Sequence, residues 1–292
     1  FHPAHSCSMS HAEPATPTGF SSLLASLVPD DDRFSVTLPA DWLQGRTAYG
    51  GLSAALCLQA TLRAFPGLPP LRSAQFAFVG PATGELCIAP RMLRQGKSAA
   101  FAGVDLEGDS GPAVRATLCF GAGRDLPHDH GKYTMPGTPP RESCPAFYAW
   151  DNRPNFMSHF DGRLAGGSLP MSGGPSPQML VWLRHRDSSV SADLVSLVAL
   201  ADALPPASFA SFAQGGPVGA ISTMTWSIDM LDAAFDNPAG WWLLHAEAET
   251  IRDGYSAQTT VVWHPDGRAV MVARQTVAIF GKRPATDPAP RS

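Results

Sequence analysis

The sequence predicts an α+β fold built from two tandem units, each an antiparallel sheet wrapped around a central helix. Three observations lead there. The first is an internal repeat: Arg94-Gln95-Gly96-Lys97-Ser98 runs through an apolar strand, a turn at Gly108-Asp109-Ser110-Gly111 and a second strand ending Phe120-Gly121. Arg252-Asp253-Gly254-Tyr255-Ser256 runs in the same way through a turn at Pro265-Asp266-Gly267 to Phe280-Gly281. The offset is 158 at the arginine (94 to 252) and 160 at the closing Phe-Gly (120 to 280). An ordered match of this kind argues for two copies of one β-rich unit. The second observation is a helix that is apolar nearly all round: Leu194, Val195, Leu197, Val198, Ala199, Leu200, Ala201 and Leu204 leave almost no polar face. Such a helix must be buried. The third is the order of elements, in which each helix is followed by a meander of alternating strands. One helix swallowed by an antiparallel meander is the hotdog arrangement, and two in one chain make a double hotdog.

The elements follow in order. Phe20 to Leu27 reads as a short helix, and Phe34-Ser35-Val36-Thr37-Leu38 alternates as a strand. Trp42 to Gly51 is a turn-rich approach carrying Gly50-Gly51, and Leu52 to Phe65 is a helix closed by Pro66-Gly67. Strands are expected near 71–79, 85–94, 98–107 and 112–121. From 122 to 154 Pro, Gly, His and Asp dominate and periodicity vanishes, which marks an inter-repeat linker. The second unit has strands near 156–164 and 178–186, a helix from Ala192 to Leu204 ended by Pro205-Pro206, and strands near 219–231, 241–252, 256–264 and 269–280. The units are thus 20–121 and 155–283, with flexible tails at 1–19 and 284–292.

Composition bounds the function classes. The chain has 292 residues, 44% of them hydrophobic and 16% charged, as expected of a well-buried globular protein. A net charge of −4 with dispersed Lys and Arg offers no footprint for nucleic acid. No apolar run is long enough to span a membrane. Residues 1–19 lack the basic and apolar regions of a secretory signal, and part of this segment is read as a cloning remnant or a processed end. Five scattered cysteines without a C-x-x-C pair indicate a reducing, cytoplasmic setting, with Cys57 and Cys119 as core filler.

Three polar residues stand out in apolar surroundings. Asp202 lies at the C-terminal end of the buried helix, where the helix dipole disfavours an anion, so it either reaches solvent just before Ala203-Leu204-Pro205 or is held at a site; the first helix has no acid, so if Asp202 works the two halves have diverged. Thr223 lies in the strand Ser222 to Met230, where alternation puts Trp226, Ile228 and Met230 on one face and Thr223, Thr225, Ser227 and Asp229 on the other. On that pattern a solvated polar face is the plainer reading. Gln275 interrupts the apolar last strand, and a buried amide needs a polar partner nearby. Other candidates are poorer. His128-Asp129-His130 has no further ligand at usable spacing for a metal, no nucleophile elbow or nucleotide-binding loop occurs, and His159, His185 and His245 are isolated.

With these residues in view, the chain resembles the acyl-CoA thioesterase II family of double-hotdog proteins over roughly residues 30–121 and 155–281. The resemblance rests on Gly50-Gly51, Phe76-Ala77-Phe78-Val79-Gly80-Pro81, Arg94-x-Gly96-x-Ser98, Trp182-Leu183-Arg184, Asp202, Thr223, Trp242-Leu243-Leu244, Asp266-Gly267 and Gln275. It implies hydrolysis of an acyl thioester by a water held by Asp202, Thr223 and Gln275, with the carboxylate as general base or orienter. It also implies that Arg94 and Arg252 contact CoA phosphates, with Gly96, Gly50 and Gly51 completing the substrate-binding set. No metal or redox cofactor is required. A non-catalytic acyl-CoA-binding or regulatory hotdog is the alternative, separated from the enzyme by the complete Asp/Thr/Gln set; an enoyl-CoA hydratase would need an Asp/His pair that is missing. Sheet edges that need cover allow further pairing into a homodimer of double hotdogs.

Overall fold

A computed structural model describes residues 17–216 and 218–281. The tails expected at 1–19 and 284–292 fall almost wholly outside the described residues. The helices are α1 (Phe20–Ala25), α2 (Gly50–Ala64) and α3 (Leu194–Ala201). The strands of the first unit are β1 (Val28–Asp30), β2 (Arg33–Thr37), β3 (Leu43–Gln44), β4 (Thr47–Ala48), β5 (Leu71–Phe78), β6 (Glu85–Gln95), β7 (Ala99–Gly108) and β8 (Gly111–Gly121). Those of the second are β9 (Phe160–Gly167), β10 (Gln178–His185), β11 (Val218–Met230), β12 (Trp242–Arg252), β13 (Tyr255–Trp263) and β14 (Ala269–Gly281).

Twelve of these strands form one antiparallel sheet in the order β1-β2-β6-β7-β8-β5-β11-β14-β13-β12-β10-β9. Its two halves repeat one connectivity: β2-β6-β7-β8-β5 in the first unit matches β10-β12-β13-β14-β11 in the second. The halves join where β5 pairs with β11, from Ala77 opposite Thr225 to Ser73 opposite Asp229. Helices α2 and α3 pack against each other inside the curved sheet. Val195, Leu197, Val198 and Leu200 of α3 are all buried, each worth about 1.5–3 kcal/mol of removed apolar surface. This is the double hotdog that the repeat and the apolar helix predict.

The repeat is real in topology, but its closing dipeptide is not equivalent in register. Phe120 is buried, whereas Phe280 is 54% exposed. Inward residues are even-numbered along β8 (Val114, Ala116, Leu118, Phe120) and odd-numbered along β14 (Met271, Ala273, Gln275, Val277), so an even offset of 160 sets the two phenylalanines on opposite faces.

Two helix boundaries differ from the pattern for local reasons. Helix α2 begins at Gly50 rather than Leu52, after an extended Tyr49 that supplies no side-chain cap. Helix α3 is shorter than expected. Asp193 caps it through a reciprocal capping box with Ser196, and Asp202 already leaves helical geometry as its C-cap (φ −108°, ψ 12°). Pro205 and Pro206 prevent resumption. The strand expected from 156 begins only at Phe160, because Asn155–His159 form a 3-10 turn behind Pro154.

The non-periodic segment 122–154 packs on both faces of the second half. Tyr133 and Met135 rest on a cluster of Trp182, Trp241, Leu243, Val261 and Trp263. The guanidinium groups of Arg141 and Arg184 lie 4.9 and 4.6 Å from the ring of Trp241. Further along, Phe147 and Tyr148 are buried in the main core, and the Tyr148 hydroxyl donates to the carbonyl of Ala203 at 2.8 Å. No helix among the described residues is long and apolar enough to cross a membrane.

Candidate active site

The site is built where the end of one central helix meets the start of the other. As C-cap of α3, Asp202 projects beyond the helical ladder toward the first turn of α2. A Cβ on Gly50 would stand 2.7 Å from Oδ2 of Asp202, and one on Gly51 2.9 Å from its Cβ. Only glycine allows this approach. The backbone N–H of Gly51 faces the carboxylate and draws its pKa down, as the positive end of a helix should. Burial acts the other way and dominates, so the Asp202 carboxyl is pushed up to about 7.

Gln275, on β14, donates from Nε2 to Oδ1 of Asp202. Its own Oε1 accepts from Nε2 of Gln258 at 2.5 Å. Gln258, on β13, in turn accepts from the backbone N–H of Ala207 at 2.9 Å. A backbone N–H can only donate, so it fixes which end of Gln258 faces it. That fixes Gln275 in turn, and the NH₂ of Gln275 points at Asp202. Gln258 and Gln275 are both buried, at 4% and 8% exposure, so the interior carries a fully partnered amide relay.

Thr223 reaches the site by a route that alternation does not predict. It pairs with Val277, while Thr225 pairs with Thr276 and Trp226 with Gln275. Met224 is the extra residue of a β-bulge. The bulge turns Thr223 away from the face of Thr225, Ser227 and Asp229, and onto the inner face shared by Trp226 and Gln275. The polar-face assignment of Thr223 is thus overturned by one inserted residue.

Asp202, Thr223, Gln275 and Gly50 line one cavity of about 820 Å³. Its other walls include Trp150, Phe156, Met157, Met171, Leu204 and Phe209. A second cavity of about 400 Å³ shares Gln44, Gly50, Ile221 and Thr223 with the first and adds Thr47, Ser53 and Ser222. An apolar chamber and a more polar one therefore meet beside Asp202. Gly51 touches Asp202 from behind. Arg94, Gly96 and Arg252 are exposed at the tips of the β6–β7 and β12–β13 hairpins and are not among the residues lining either cavity.

The remaining polar candidates sit elsewhere. His159 is stacked on Trp42 with ring centroids 3.9 Å apart and has Nε2 3.1 Å from Oδ2 of Asp41. His185 contacts the carbonyl of Ser196 at 2.9 Å, and His245 contacts Gln178. His128, Asp129 and His130 are exposed in the linker. Gln258 is the member of the site that sequence reasoning missed; its only signal is the run Ser256-Ala257-Gln258-Thr259-Thr260, which reads as a strand with an ordinary solvated face.

Comparisons with known proteins bear on the family and the fold. A family model described as the acyl-CoA thioesterase N-terminal domain matches residues 38–121, and one for the C-terminal domain matches residues 136–279. Together they cover well over half of the chain, which belongs to the acyl-CoA thioesterase family and is a thioester hydrolase. Among solved structures, a conserved hot dog fold protein of unknown function from Alicyclobacillus acidocaldarius is similar at TM-score 0.80 and 25% identity, over 90% of this chain and 98% of that one. The tesB protein of Mycobacterium avium subsp. paratuberculosis is similar at 0.71 and 20%, over 90% and 100%. The acyl-CoA thioesterase II TesB2 of Mycobacterium marinum is similar at 0.69 and 16%, over 89% and 97%. These likenesses speak to the fold. No curated protein matches the chain.

Proposed function

We propose that the chain hydrolyses fatty-acyl-CoA or a related acyl thioester through a water held by Asp202, Thr223 and Gln275. The observation that carries this reading is a carboxyl group with a pKa near 7, held by the Gln275 amide at the mouth of an apolar cavity. A general base is most useful when its pKa lies near the working pH. The carboxylate of Asp202 takes a proton from the water as its oxygen bonds to the thioester carbon. The tetrahedral intermediate collapses by breaking the C–S bond, and the CoA thiolate leaves to be protonated. Gln275 orients the carboxylate, and the Thr223 hydroxyl is a further partner for the water.

The two cavities suggest how a thioester would lie. The larger, with its aromatic, methionine and proline walls, suits the acyl chain; the smaller, with Thr47, Ser53 and Ser222, suits the amide-bearing arm of the thiol. The reacting carbon would then lie at Gly50 and Thr223, which line both. N–H groups in the first turn of α2 are the nearest source of a positive dipole for the developing oxyanion. Arg94 and Arg252 would contact CoA phosphates only at a distance from this junction, on the rim of the molecule.

The test is Asp202→Asn, which keeps the side chain's shape. Thiol release from a panel of acyl-CoAs should fall at least a hundredfold with an unchanged circular dichroism spectrum. Turnover at the wild-type rate would remove Asp202 from the mechanism.

A further inference from the structure

The amide relay behind Asp202 has a consequence beyond the three residues that face the cavity. We infer that Gln258 is a positioning residue for the hydrolysis: by holding Gln275 with its NH₂ toward Asp202, it keeps that carboxyl group in the ionisable, acceptor state. The inference rests on the proposed role of Asp202 and adds a residue that does not line the cavity.

The geometry leaves Gln258 little other work. Its Oε1 is committed to the N–H of Ala207, the first residue of the 3-10 turn Ala207–Ala210, and its Nε2 to Gln275. Without it, Gln275 could rotate its amide and turn Oε1 toward Asp202. An oxygen there is compatible only with a protonated carboxyl, which donates rather than accepts. The amide's orientation therefore decides the proton's affinity for Asp202, and the orientation is set two side chains away.

Other groups packed around Asp202 cannot take over this role. From the residue just before α2, the phenol of Tyr49 donates to the carbonyl of Ala199 at 3.0 Å, and from the linker Tyr148 donates to that of Ala203 at 2.8 Å. Burial keeps both phenols neutral. Thr223 on β11 and the glycines of α2 do not titrate. Asp151 lines the same cavity but is exposed. No Lys, Arg or His contributes to the shift at Asp202: burial raises it, and only the Gln275 amide and the Gly51 N–H oppose that rise, so the Gln275 amide is the one side-chain donor acting on the carboxyl group.

The test uses the whole chain and two variants. Gln258→Met removes the amide at similar volume. Ala207→Pro removes the anchoring N–H at the first position of a helical turn, where proline is tolerated, and leaves Gln258 in place. Two readouts are needed: the Asp202 carboxyl stretch followed by pH-difference infrared spectroscopy, assigned by its loss in Asp202→Asn, and the pH dependence of kcat and KM. Both variants should move the Asp202 titration and the acid limb of kcat to higher pH. Each should lower kcat at neutral pH by about five- to tenfold, the scale of one lost hydrogen bond, at unchanged KM. In a Gln275→Met background, Gln258→Met should cost nothing further, because the two amides act as one unit. An infrared titration unchanged from wild type in a folded variant, or effects of Gln258→Met and Gln275→Met that simply multiply, would overturn the assignment. The infrared readout does not depend on turnover, so failure of Gln258 is distinguished from failure of the thioesterase mechanism, which Asp202→Asn decides alone.

Discussion

Gly51 and Asp202 approach so closely that a methyl group on Gly51 would stand 2.9 Å from the Cβ of Asp202 and 2.7 Å from the carbonyl oxygen of Ala199. The contact joins the start of one central helix to the end of the other, and it belongs to opposite units of the repeat. Gly51→Ala therefore sets two effects against each other. Alanine gains about 1 kcal/mol in helix propensity, while overpacking against a backbone oxygen costs about 1–3 kcal/mol. A backbone oxygen cannot rotate away, so the clash wins. Thermal unfolding should show Tm lowered by several degrees, together with loss of thiol release as Asp202 is displaced. An increase in Tm would mean that the helices separate freely at this point.

The ionisation of Asp202 makes a prediction about stability as well as rate. Its folded pKa is about 7, against an ordinary aspartate value of 3.8, so between these limits the folded state binds more protons than the unfolded one. Stability from this group is complete below about pH 4 and is lost as pH rises through about 7. The full loss is on the order of a few kcal/mol. Asp202→Asn should flatten that decline, measured as urea midpoints across the range. Activity should run the opposite way, rising through pH 7 as the base ionises. A wild-type protein whose stability climbs steadily over this window, with the same slope in Asp202→Asn, would place the carboxyl in an ordinary aqueous environment.

Thr223 and Thr225 test the bulge at Met224. Alternation in the sequence puts both on one face, whereas the pairing of Thr223 with Val277 and Thr225 with Thr276 separates them. Thr223→Val removes one hydroxyl from the cavity at constant shape, and kcat should fall about ten- to a hundredfold. Thr225→Val should change kcat less than twofold. Equal effects at the two positions would mean that the bulge does not orient Thr223 as its pairing implies.

These residues also show what could be read from the chain and what could not. Strand and helix positions were legible because burial imposes periodicity: the apolar run of Leu194 to Ala201 could belong only to an enclosed helix, and β6, β7, β8, β12, β13 and β14 begin and end within a residue or two of the pattern. Asp202 and Gln275 were legible as polar residues in apolar surroundings. The bulge was not, because an extra residue changes the pairing partner and leaves no mark in composition. Gln258 was hidden for a related reason. It lies among Ser256, Thr259 and Thr260, and a polar face turned inward reads the same as one turned outward until the strand's neighbours are known. The Phe-Gly repeat at 120 and 280 misled in register while pointing to the right topology. The wall contributed by Trp150 could not be foreseen, since non-periodic segments owe their path to tertiary contacts, and the 3-10 turn that carries Phe156 and Met157 falls where the pattern predicts a strand.

Met171 offers a way to separate stability from substrate choice. It lines the larger cavity and holds φ at 59°, a left-handed conformation that costs a non-glycine residue roughly 1–2 kcal/mol. Its backbone is fixed on both sides, its N–H donating to Phe209 at 2.6 Å and its carbonyl accepting from Gln214 at 3.1 Å. The side chain is thus held against the cavity by a strained backbone that the two flanking segments enforce. Met171→Gly relieves the strain while giving up part of a side chain's packing and some unfolded-state entropy, and these terms are of similar size. The midpoint of unfolding should therefore move by less than about 1 kcal/mol. The cavity, however, grows by the volume of that side chain. Competition between acyl-CoAs of increasing length should shift kcat/KM toward longer chains in Met171→Gly, and toward shorter ones in Met171→Trp. Chain-length profiles that stay the same in both variants would show that the acyl group lies elsewhere, and would redirect attention to the smaller cavity beside Ser53 and Ser222.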